Sequence, residues 1–247
     1  MSRWLIAGAA GGIASAVARE LAVRGHSLIL LDKPETEQRL KADAEDLRIR
    51  YSAIVQIYLF DALEVKKHQS LIEEIEKVAG EIEGVLWTVG VMWPQDELAS
   101  DGARAIRHHE INYVSAMSFL GLIADRFEQR KGGTIVAIGS PAGDRGRVSN
   151  YLYGADKAAL HVLMQGLRQR LAPAGVHVLT VKPGPTRTPM TAGMEKLPLA
   201  STPGVVAKGI VRAIEKKREV TYVPGIWRLI MLAIRHIPEA VFKKMKM

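Results

Sequence analysis

A tyrosine and a lysine four residues apart, Tyr153 and Lys157, are the side chains of this sequence best suited to acid–base chemistry. In a helix this spacing places both side chains on one face, one turn apart. An ammonium group beside a phenol is expected to lower the phenol pKa from its ordinary value of about 10. The pattern therefore predicts that Tyr153 exchanges a proton with a substrate and that Lys157 activates it.

A serine, Ser140, follows the β-rich segment 134–138 and precedes the tyrosine by thirteen residues. A strand followed by a helix could bring its hydroxyl beside the phenol of Tyr153, over one substrate oxygen. Two donors at that oxygen would stabilise a carbonyl as it becomes an alkoxide. Ser140, Tyr153 and Lys157 together predict a catalytic site.

Length and composition limit the class of protein. The chain has 247 residues, 48% hydrophobic and 24% charged, which suits a single domain spanning 1–247. The sequence has no cysteine, which excludes disulfides and zinc-thiolate sites and fits a reducing compartment. Strand-like sequence from Trp4 leaves no room for a signal peptide, and no apolar run approaches ~18 residues, so a cytoplasmic protein is expected.

The formal net charge of +8 is compatible with nucleic acid, an anionic membrane surface or acidic substrates. The basic residues are mostly scattered and are not interleaved with aromatic residues, so nucleic acid is not expected as a partner. His108 and His109 are adjacent, and neighbours in a helix point about 100° apart. No ligand spacing accompanies them, so no metal site is predicted.

The amino-terminal residues have the pattern of a dinucleotide-binding unit. An apolar strand at 3–7 leads into a glycine-rich turn and then into a helix at 13–21. Glycines let the backbone approach a pyrophosphate, and the helix N-terminus offers it unpaired amides. We therefore expect Gly8, Gly11, Gly12 and Ile13 to contact the nucleotide.

An acidic residue, Asp32, ends the second apolar strand, 26–31, twenty residues after Gly12. A carboxylate at this position accepts hydrogen bonds from the ribose hydroxyls and repels a 2′-phosphate. NAD(H) is therefore favoured over NADP(H), although Lys33 would partly offset the repulsion. The third strand, 53–60, ends at Asp61 and Ala62, where the adenine is expected.

Strands and helices alternate along most of the chain, and the strands are too apolar to be buried on one side only. This predicts an α/β fold, a Rossmann-type doubly wound parallel sheet with helices on both faces and the nucleotide at the carboxyl ends of the strands. A fourth strand, 84–91, includes Gly90. A loop at 92–102 precedes a long helix, 103–129, in which Asn112 would bend the helix or hold a water that links Lys157 to solvent.

A Pro/Gly-rich turn follows the sixth strand, 176–181. Pro183 and Gly184 would lie at the nicotinamide, and Thr186 and Thr188 would bond its carboxamide or the pyrophosphate. The next residues have no clear period, and the segment 190–204 is expected to be a lid over the substrate.

Taken together, these residues resemble the pattern of the short-chain dehydrogenases/reductases over the whole chain. The resemblance implies that Tyr153 transfers the proton, Ser140 polarises the carbonyl and Lys157 holds the nicotinamide ribose. It also implies that Asn112 anchors a relay water, that hydride passes between nicotinamide C4 and the substrate carbon, and that the protein is a homodimer or homotetramer. The residues that carry it are Ala7, Gly8, Gly12, Ile13, Asp32, Asp61, Asn112, Ser140, Tyr153, Lys157, Pro183 and Gly184.

Two departures from the family pattern stand out. Ala7 and Ala14 replace the usual threonine and third glycine, and Trp87-Thr88-Val89-Gly90 replaces the usual Asn-Asn-Ala-Gly. The second change removes a side-chain amide. The link between the fourth strand and the glycine turn must therefore be made in another way.

A narrower resemblance, to the decaprenylphosphoryl-2-keto-erythro-pentofuranose reductases, covers residues 140–160, the Val89-Gly90 turn and the C-terminal residues. It implies a polyprenyl-phosphate-linked 2-ketopentose as substrate, reduced with NADH. Two other functions stay open. One is a 3-oxoacyl reductase acting on groups carried by an acidic protein, for which Asp32 is unfavourable. The other is a non-catalytic dinucleotide sensor, which would not need the three catalytic residues together.

The C-terminal segment, 225–247, is amphipathic and basic. Its apolar part is 226–234, and Trp227 and Phe242 are of the types found at membrane interfaces. The segment could therefore lie on the inner face of an anionic membrane, where each basic residue contributes about 1 kcal/mol, or pack on the protein. The cationic residues are Arg228, Arg235, Lys243, Lys244 and Lys246.

Overall fold

Seven parallel strands form one sheet, in the order β3-β2-β1-β4-β5-β6-β7, in the computed structural model of the protein. The structure describes residues 2–194 and 197–245, so that Lys246 and two residues of the expected lid lie outside the described residues. The strands are β1 Arg3–Ala7, β2 Ser27–Asp32, β3 Val55–Leu59, β4 Gly84–Trp87, β5 Thr134–Ile138, β6 His177–Pro183 and β7 Val220–Val223. The helices are α1 Gly12–Val23, α2 Glu37–Tyr51, α3 His68–Ala79, α4 Gln95–Ser100, α5 Gly102–His109, α6 Ser115–Arg130, α7 Tyr151–Leu171, α8 Pro203–Glu215, α9 Ile226–His236 and α10 Glu239–Phe242.

The chain changes direction along the sheet at β1. This strand pairs with β2 on one side and β4 on the other, and its last residue, Ala7, lies opposite both Leu31 and Trp87. The connections that leave β1 and β4 therefore diverge and open a crevice at the carboxyl ends of the strands, the position where nucleotides bind in such sheets. The expected α/β class, with helices on both faces of a parallel sheet, is confirmed.

The alternation of side chains along each strand builds two apolar layers. In β1, Leu5 and Ala7 pack in the layer beneath α3, α6 and α7. Trp4 and Ile6 point to the other face and pack in the layer beneath α1, α2 and α8. Both faces of the central strands are buried from solvent, which accounts for their nearly continuous apolar sequence.

The structure differs from the sequence expectations in the segment between β4 and β5. The fourth strand ends at Trp87 rather than at residue 91, and the expected loop contains α4. The expected long helix begins at α5, where the Asp101 carboxylate accepts a hydrogen bond from Arg104 N. A wider turn, Glu110–Val114, separates α5 from α6 and has π-helical geometry. The sequence patterns left helix α8 and strand β7 unassigned. Strand β7 is the edge strand of the sheet, next to β6.

The C-terminal helices pack on the protein with one face. Trp227, Met231 and Ile234 of α9 are buried, as is Phe242 of α10. Trp227 and Phe242 are thus enclosed by the protein, which differs from the expectation that they lie at an interface. The opposite face of α9 is exposed and apolar at Ile226, Leu229 and Leu232. Within the described residues, no helix is long and apolar enough to cross a bilayer.

The close approach of β1 and β4 gives a test of the packing. Gly84 lies opposite Trp4, and a Cβ at Gly84 would come 2.5 Å from the indole ring. Because the ring is held in the core, we expect Gly84→Ala to lower the free energy of unfolding by about 1–3 kcal/mol, measured by urea denaturation.

The matched control is the same substitution at Gly166 in α7, where nothing lies within 4 Å of the added Cβ. There alanine favours the helix, and we expect a gain of about 0.5–1 kcal/mol. A Gly84→Ala protein as stable as the wild type would contradict this account of the strand contact.

Candidate active site

The carboxyl ends of the strands open onto two adjoining clefts. The first has a volume of about 340 Å³ and is lined by three of the expected catalytic residues, Ser140, Tyr153 and Lys157. The second, about 690 Å³, follows the ends of β2 and β3. The expected cofactor residues Gly12, Ile13, Pro183, Gly184, Thr186 and Thr188 line the first cleft, Gly8, Asp32, Asp61 and Ala62 line the second, and Gly11 and Gly90 line both.

Ser140 and Tyr153 form a pair of hydroxyl groups beside a buried ammonium. Ser140 follows β5, and its hydroxyl accepts a hydrogen bond from Ala142 N at 3.1 Å. Helix α7 carries Tyr153 and Lys157 on one face, and Lys157 Nζ lies 5.6 Å from the centroid of the Tyr153 ring. The ammonium donates to the carbonyl oxygen of Ile138 at 3.1 Å. The strand and the helix therefore bring the three residues together, as the sequence spacing predicted.

The pKa of Tyr153 differs from the sequence expectation. Burial raises the pKa of the phenol to about 12, while a hydrogen bond with Ser140 opposes that shift. Burial also lowers the pKa of Lys157 to about 8. The phenol therefore keeps its proton at neutral pH, because removing that proton would leave a buried charge.

Asn112 lies behind the cleft rather than in its lining. It occupies the π-helical turn, where its Oδ1 accepts from Val91 N at 3.0 Å and its Nδ2 donates to Asp156 at 3.2 Å. Such π-bulges are frequent at functional sites. Its amide is fully engaged with the chain itself, so the side chain fixes the turn after β4 instead of facing the substrate.

A buried carboxylate, Asp156, connects this turn to Lys157. His108 Nδ1 and His109 Nδ1 each lie 2.7 Å from one of its oxygens. The charge of Asp156 raises the pKa of Lys157 and so works against the larger effect of burial. The two adjacent histidines, which could suggest a metal pair, therefore both contact the carboxylate of Asp156.

The glycine turn is closed by a threonine. Gly8 has a φ of +80°, and a Cβ there would lie 2.6 Å from Thr88 Oγ1. The Thr88 hydroxyl donates to the carbonyl of Ala7 at 2.6 Å and lies 3.0 Å from that of Gly8. The Thr88 hydroxyl therefore links the end of the fourth strand to the glycine turn, in place of the side-chain amide of the missing asparagines.

The nucleotide half of the site has the features of a dinucleotide cradle. Helix α1 begins at Gly12 with no side-chain cap from the described residues, so its first amides point into the cleft. A Cβ at Gly12 would lie 3.1 Å from the Thr188 side chain, a tight contact that glycine avoids. Asp32 Oδ2 accepts from Ala10 N at 2.7 Å and thereby holds the turn. These residues fit a pyrophosphate at the helix and a ribose at the carboxylate.

Several residues to which the sequence analysis gave no individual role at the first cleft also line it. Arg147 and Asn150 come from the loop between Ser140 and Tyr153, so their position was implied by the two residues that flank them. Trp227 belongs to α9, far along the chain, and no local sequence pattern predicts that it lines the cleft. The larger apolar side chains of the wall include Met92, Met190, Met194 and Leu197.

Comparison with known proteins gives concordant matches. The family model described as short chain dehydrogenase matches residues 3–197. An uncharacterized oxidoreductase of Streptomyces coelicolor is 34% identical over 98% of this chain and 94% of that protein. Ketoacyl reductase HetN of a Nostoc species is 27% identical over 86% of this chain and 75% of that protein. A solved short-chain dehydrogenase from Sphingobium yanoikuyae, in complex with NADPH, superposes with a TM-score of 0.83 at 26% identity, covering 97% of this chain and 98% of that one.

The backbone at Ser140 is supported by a buried histidine. His161 Nε2 accepts from Ser140 N at 3.3 Å, and a Cβ at Gly139 would lie 2.4 Å from the same nitrogen. Burial, with an added contribution from Lys182, lowers the pKa of His161 to about 3. The ring is therefore neutral in the fold over most of the pH range in which a free histidine is charged.

This neutral ring predicts an acid sensitivity. Between pH 6.5 and about 3 the unfolded chain binds a proton at His161 that the folded chain does not, so stability falls as the pH falls. We expect His161 to account for a loss of about 2–3 kcal/mol in the free energy of unfolding between pH 7 and pH 4.5. Urea denaturation of the wild type and of His161→Gln at both pH values measures it. Equal losses in the two proteins would show that the ring is protonated in the fold.

Proposed function

The chain belongs to the short-chain dehydrogenase family, and on this premise we propose that it reduces a ketone to a secondary alcohol, or catalyses the reverse oxidation, with NAD(H). The observation that carries this proposal is the meeting of Ser140, Tyr153 and Lys157 in one cleft that also contains the glycine turn. A dinucleotide sensor would need the turn alone.

The protein side of the reaction follows from the positions and pKa values of the three residues. A nicotinamide cofactor supplies or accepts the hydride when it is bound. With a pKa of about 12, Tyr153 keeps its proton at neutral pH until the substrate oxygen gains negative charge. The Ser140 hydroxyl is the second hydrogen-bond donor to that substrate oxygen. The Lys157 ammonium, mostly charged at pH 7 because its pKa is about 8, stabilises the phenolate that remains.

Asn112 has a supporting role in this proposal. Its amide holds the turn at Val91 on one side and Asp156 on the other, and Asp156 favours the charged form of Lys157. The residue expected to anchor a relay water thus also sets the position of the groups around Lys157.

We propose a polyprenyl-phosphate-linked 2-ketopentose as the substrate to test first. The narrower resemblance in sequence supports it, and so does the exposed apolar face of α9, which is bordered by Arg228 and Arg235 and could rest on a membrane. The cellular location would then be the cytoplasm, at the inner face of the membrane, and the family resemblance favours a homodimer or homotetramer. The similarity to a ketoacyl reductase supports a second candidate, a carrier-linked 3-oxoacyl group.

The catalytic assignment predicts the effect of removing one oxygen atom. We expect Tyr153→Phe to lower NADH oxidation at least about 100-fold with either ketone substrate, because the proton donor is lost. NADH affinity, measured by fluorescence titration, should be nearly unchanged. Tyr151→Phe, which alters a tyrosine that is 44% exposed on the first turn of α7, is the matched control and should retain activity. Wild-type turnover in Tyr153→Phe would contradict the assignment.

The cofactor preference has a separate test. In the proposed complex Asp32 accepts hydrogen bonds from the ribose and repels a 2′-phosphate. We expect the unmodified protein to have the higher kcat/KM with NADH, and Asp32→Ala to reduce its ratio over NADPH by about 10- to 100-fold. If the unmodified protein prefers NADPH, as the complex of the Sphingobium relative would suggest by analogy, the preference for NAD(H) is wrong.

A further inference from the structure

The substrate side of the first cleft contains a cation without a counter-ion. Arg147 lies on the loop between Ser140 and Tyr153, and its Nε is buried without a hydrogen-bond partner in the described ranges. The neighbouring cations are paired, since Arg145 binds Glu239 and Lys182 binds Asp144. Arg147 forms no such ion pair within residues 2–194 and 197–245.

The nearest acidic group is already occupied. Asp144 raises the pKa of Arg147 through its charge, which places it in the neighbourhood, but burial is the larger effect and lowers that pKa. The Asp144 carboxylate accepts from Tyr222 at 2.6 Å with one oxygen and binds Lys182 with the other. A partly buried guanidinium without an acceptor is costly in free energy, so Arg147 is suited to an acceptor that is not part of these loops.

A second unpartnered donor lines the same cleft. Trp227 is only 8% exposed, and no described residue accepts from its Nε1. The indole fits there because position 184 is glycine, where a Cβ would come 2.0 Å from that nitrogen. Three residues of the cleft lining have a buried polar atom without a partner among the described residues: the N–H donors Arg147 Nε and Trp227 Nε1, and the acceptor Asn150 Oδ1. The two donors favour an oxygen-rich ligand.

Part of the wall is apolar. Met92, Met190, Met194 and Leu197 border the cleft, and methionine side chains adapt to apolar groups of varied shape. Beside Ser140 and Tyr153 the cleft therefore combines the guanidinium of Arg147 and an additional donor with an apolar surface.

From these contacts we propose that the ketone substrate carries an anionic group, a carboxylate or a phosphate, that Arg147 binds, with an apolar portion against the methionines. This proposal rests on the proposed ketone reduction and narrows its substrate class. A lipid-linked phosphate, a carrier-linked phosphate and a free keto acid share this chemistry.

The test compares ketones that differ only in charge. NADH oxidation is measured with a 4-oxoalkanoate and its methyl ester, and with a hydroxyketone and its phosphate monoester. We expect the unmodified protein to prefer the charged member of at least one pair, and Arg147→Gln to lose at least about tenfold in kcat/KM on that member only, mainly through KM. The pair that loses more distinguishes carboxylate from phosphate.

Two further variants complete the comparison. Arg147→Lys keeps the charge without the planar fork and should fall between Arg147→Gln and the wild type. Arg212→Gln removes an exposed arginine of α8, remote from the clefts, and should change none of the rates. Equal losses on charged and neutral ketones, or a preference of the unmodified protein for the neutral ones, would overturn the proposal.

Binding of inorganic phosphate in the presence of saturating NADH, measured by calorimetry, separates the two proposals. If no ketone is reduced but phosphate binds and Arg147→Gln abolishes that binding, the proposed function fails while the anion site stands. If ketones are reduced but Arg147→Gln affects neither phosphate binding nor the rates with the charged ketones, the function stands and the anion site is wrong.

Discussion

The buried charge of Lys157 constrains much of the site around Ser140 and Tyr153. An ammonium removed from water is stable only if opposite charge and acceptors are close. Asp156, the preceding residue, supplies the charge, and the carbonyl of Ile138 supplies an acceptor. Asp156 must in turn be held, and His108, His109 and Asn112 hold it from the α5 end of the interrupted helix. The π-helical turn is therefore part of the charge balance of the site.

A second set of contacts fixes the loop between Ser140 and Tyr153 from behind. The Arg145 guanidinium donates to the carbonyls of Ile234 and Ile237 at 2.7 and 2.6 Å and lies 3.8 Å over the ring of Phe242. The loop is thus joined to the C-terminal helices, which also bring Trp227 to the cleft. These contacts hold the backbone of the loop in place, so that a side chain on it, such as Arg147, is suited to recognise a substrate.

The sequence predicted six of the seven strands, the sheet class and the three residues that meet in the cleft, because apolar period, glycine turns and helical spacing are local properties. It did not predict the sign of the Tyr153 pKa shift, since burial depends on elements distant in the chain. The arrival of Trp227 and the sharing of Asp156 by two histidines were invisible for the same reason. The need for a new link at the glycine turn was predicted from the missing asparagines, but the hydroxyl of Thr88 as that link required the coordinates.

Asp32 shows why cofactor preference is difficult to change at one residue. Its Oδ2 accepts from Ala10 N at 2.7 Å and its Oδ1 from Lys33 N at 2.8 Å, so the carboxylate orders the glycine turn before any ribose is present. Each oxygen keeps a further lone pair for a ribose hydroxyl. In the proposed complex, the charge that would repel a 2′-phosphate is therefore also the acceptor that holds the glycine turn. Removing it would relieve the repulsion and loosen the turn together, so the ratio of rates with the two nucleotides should change more in favour of NADPH than the absolute rate with NADPH improves.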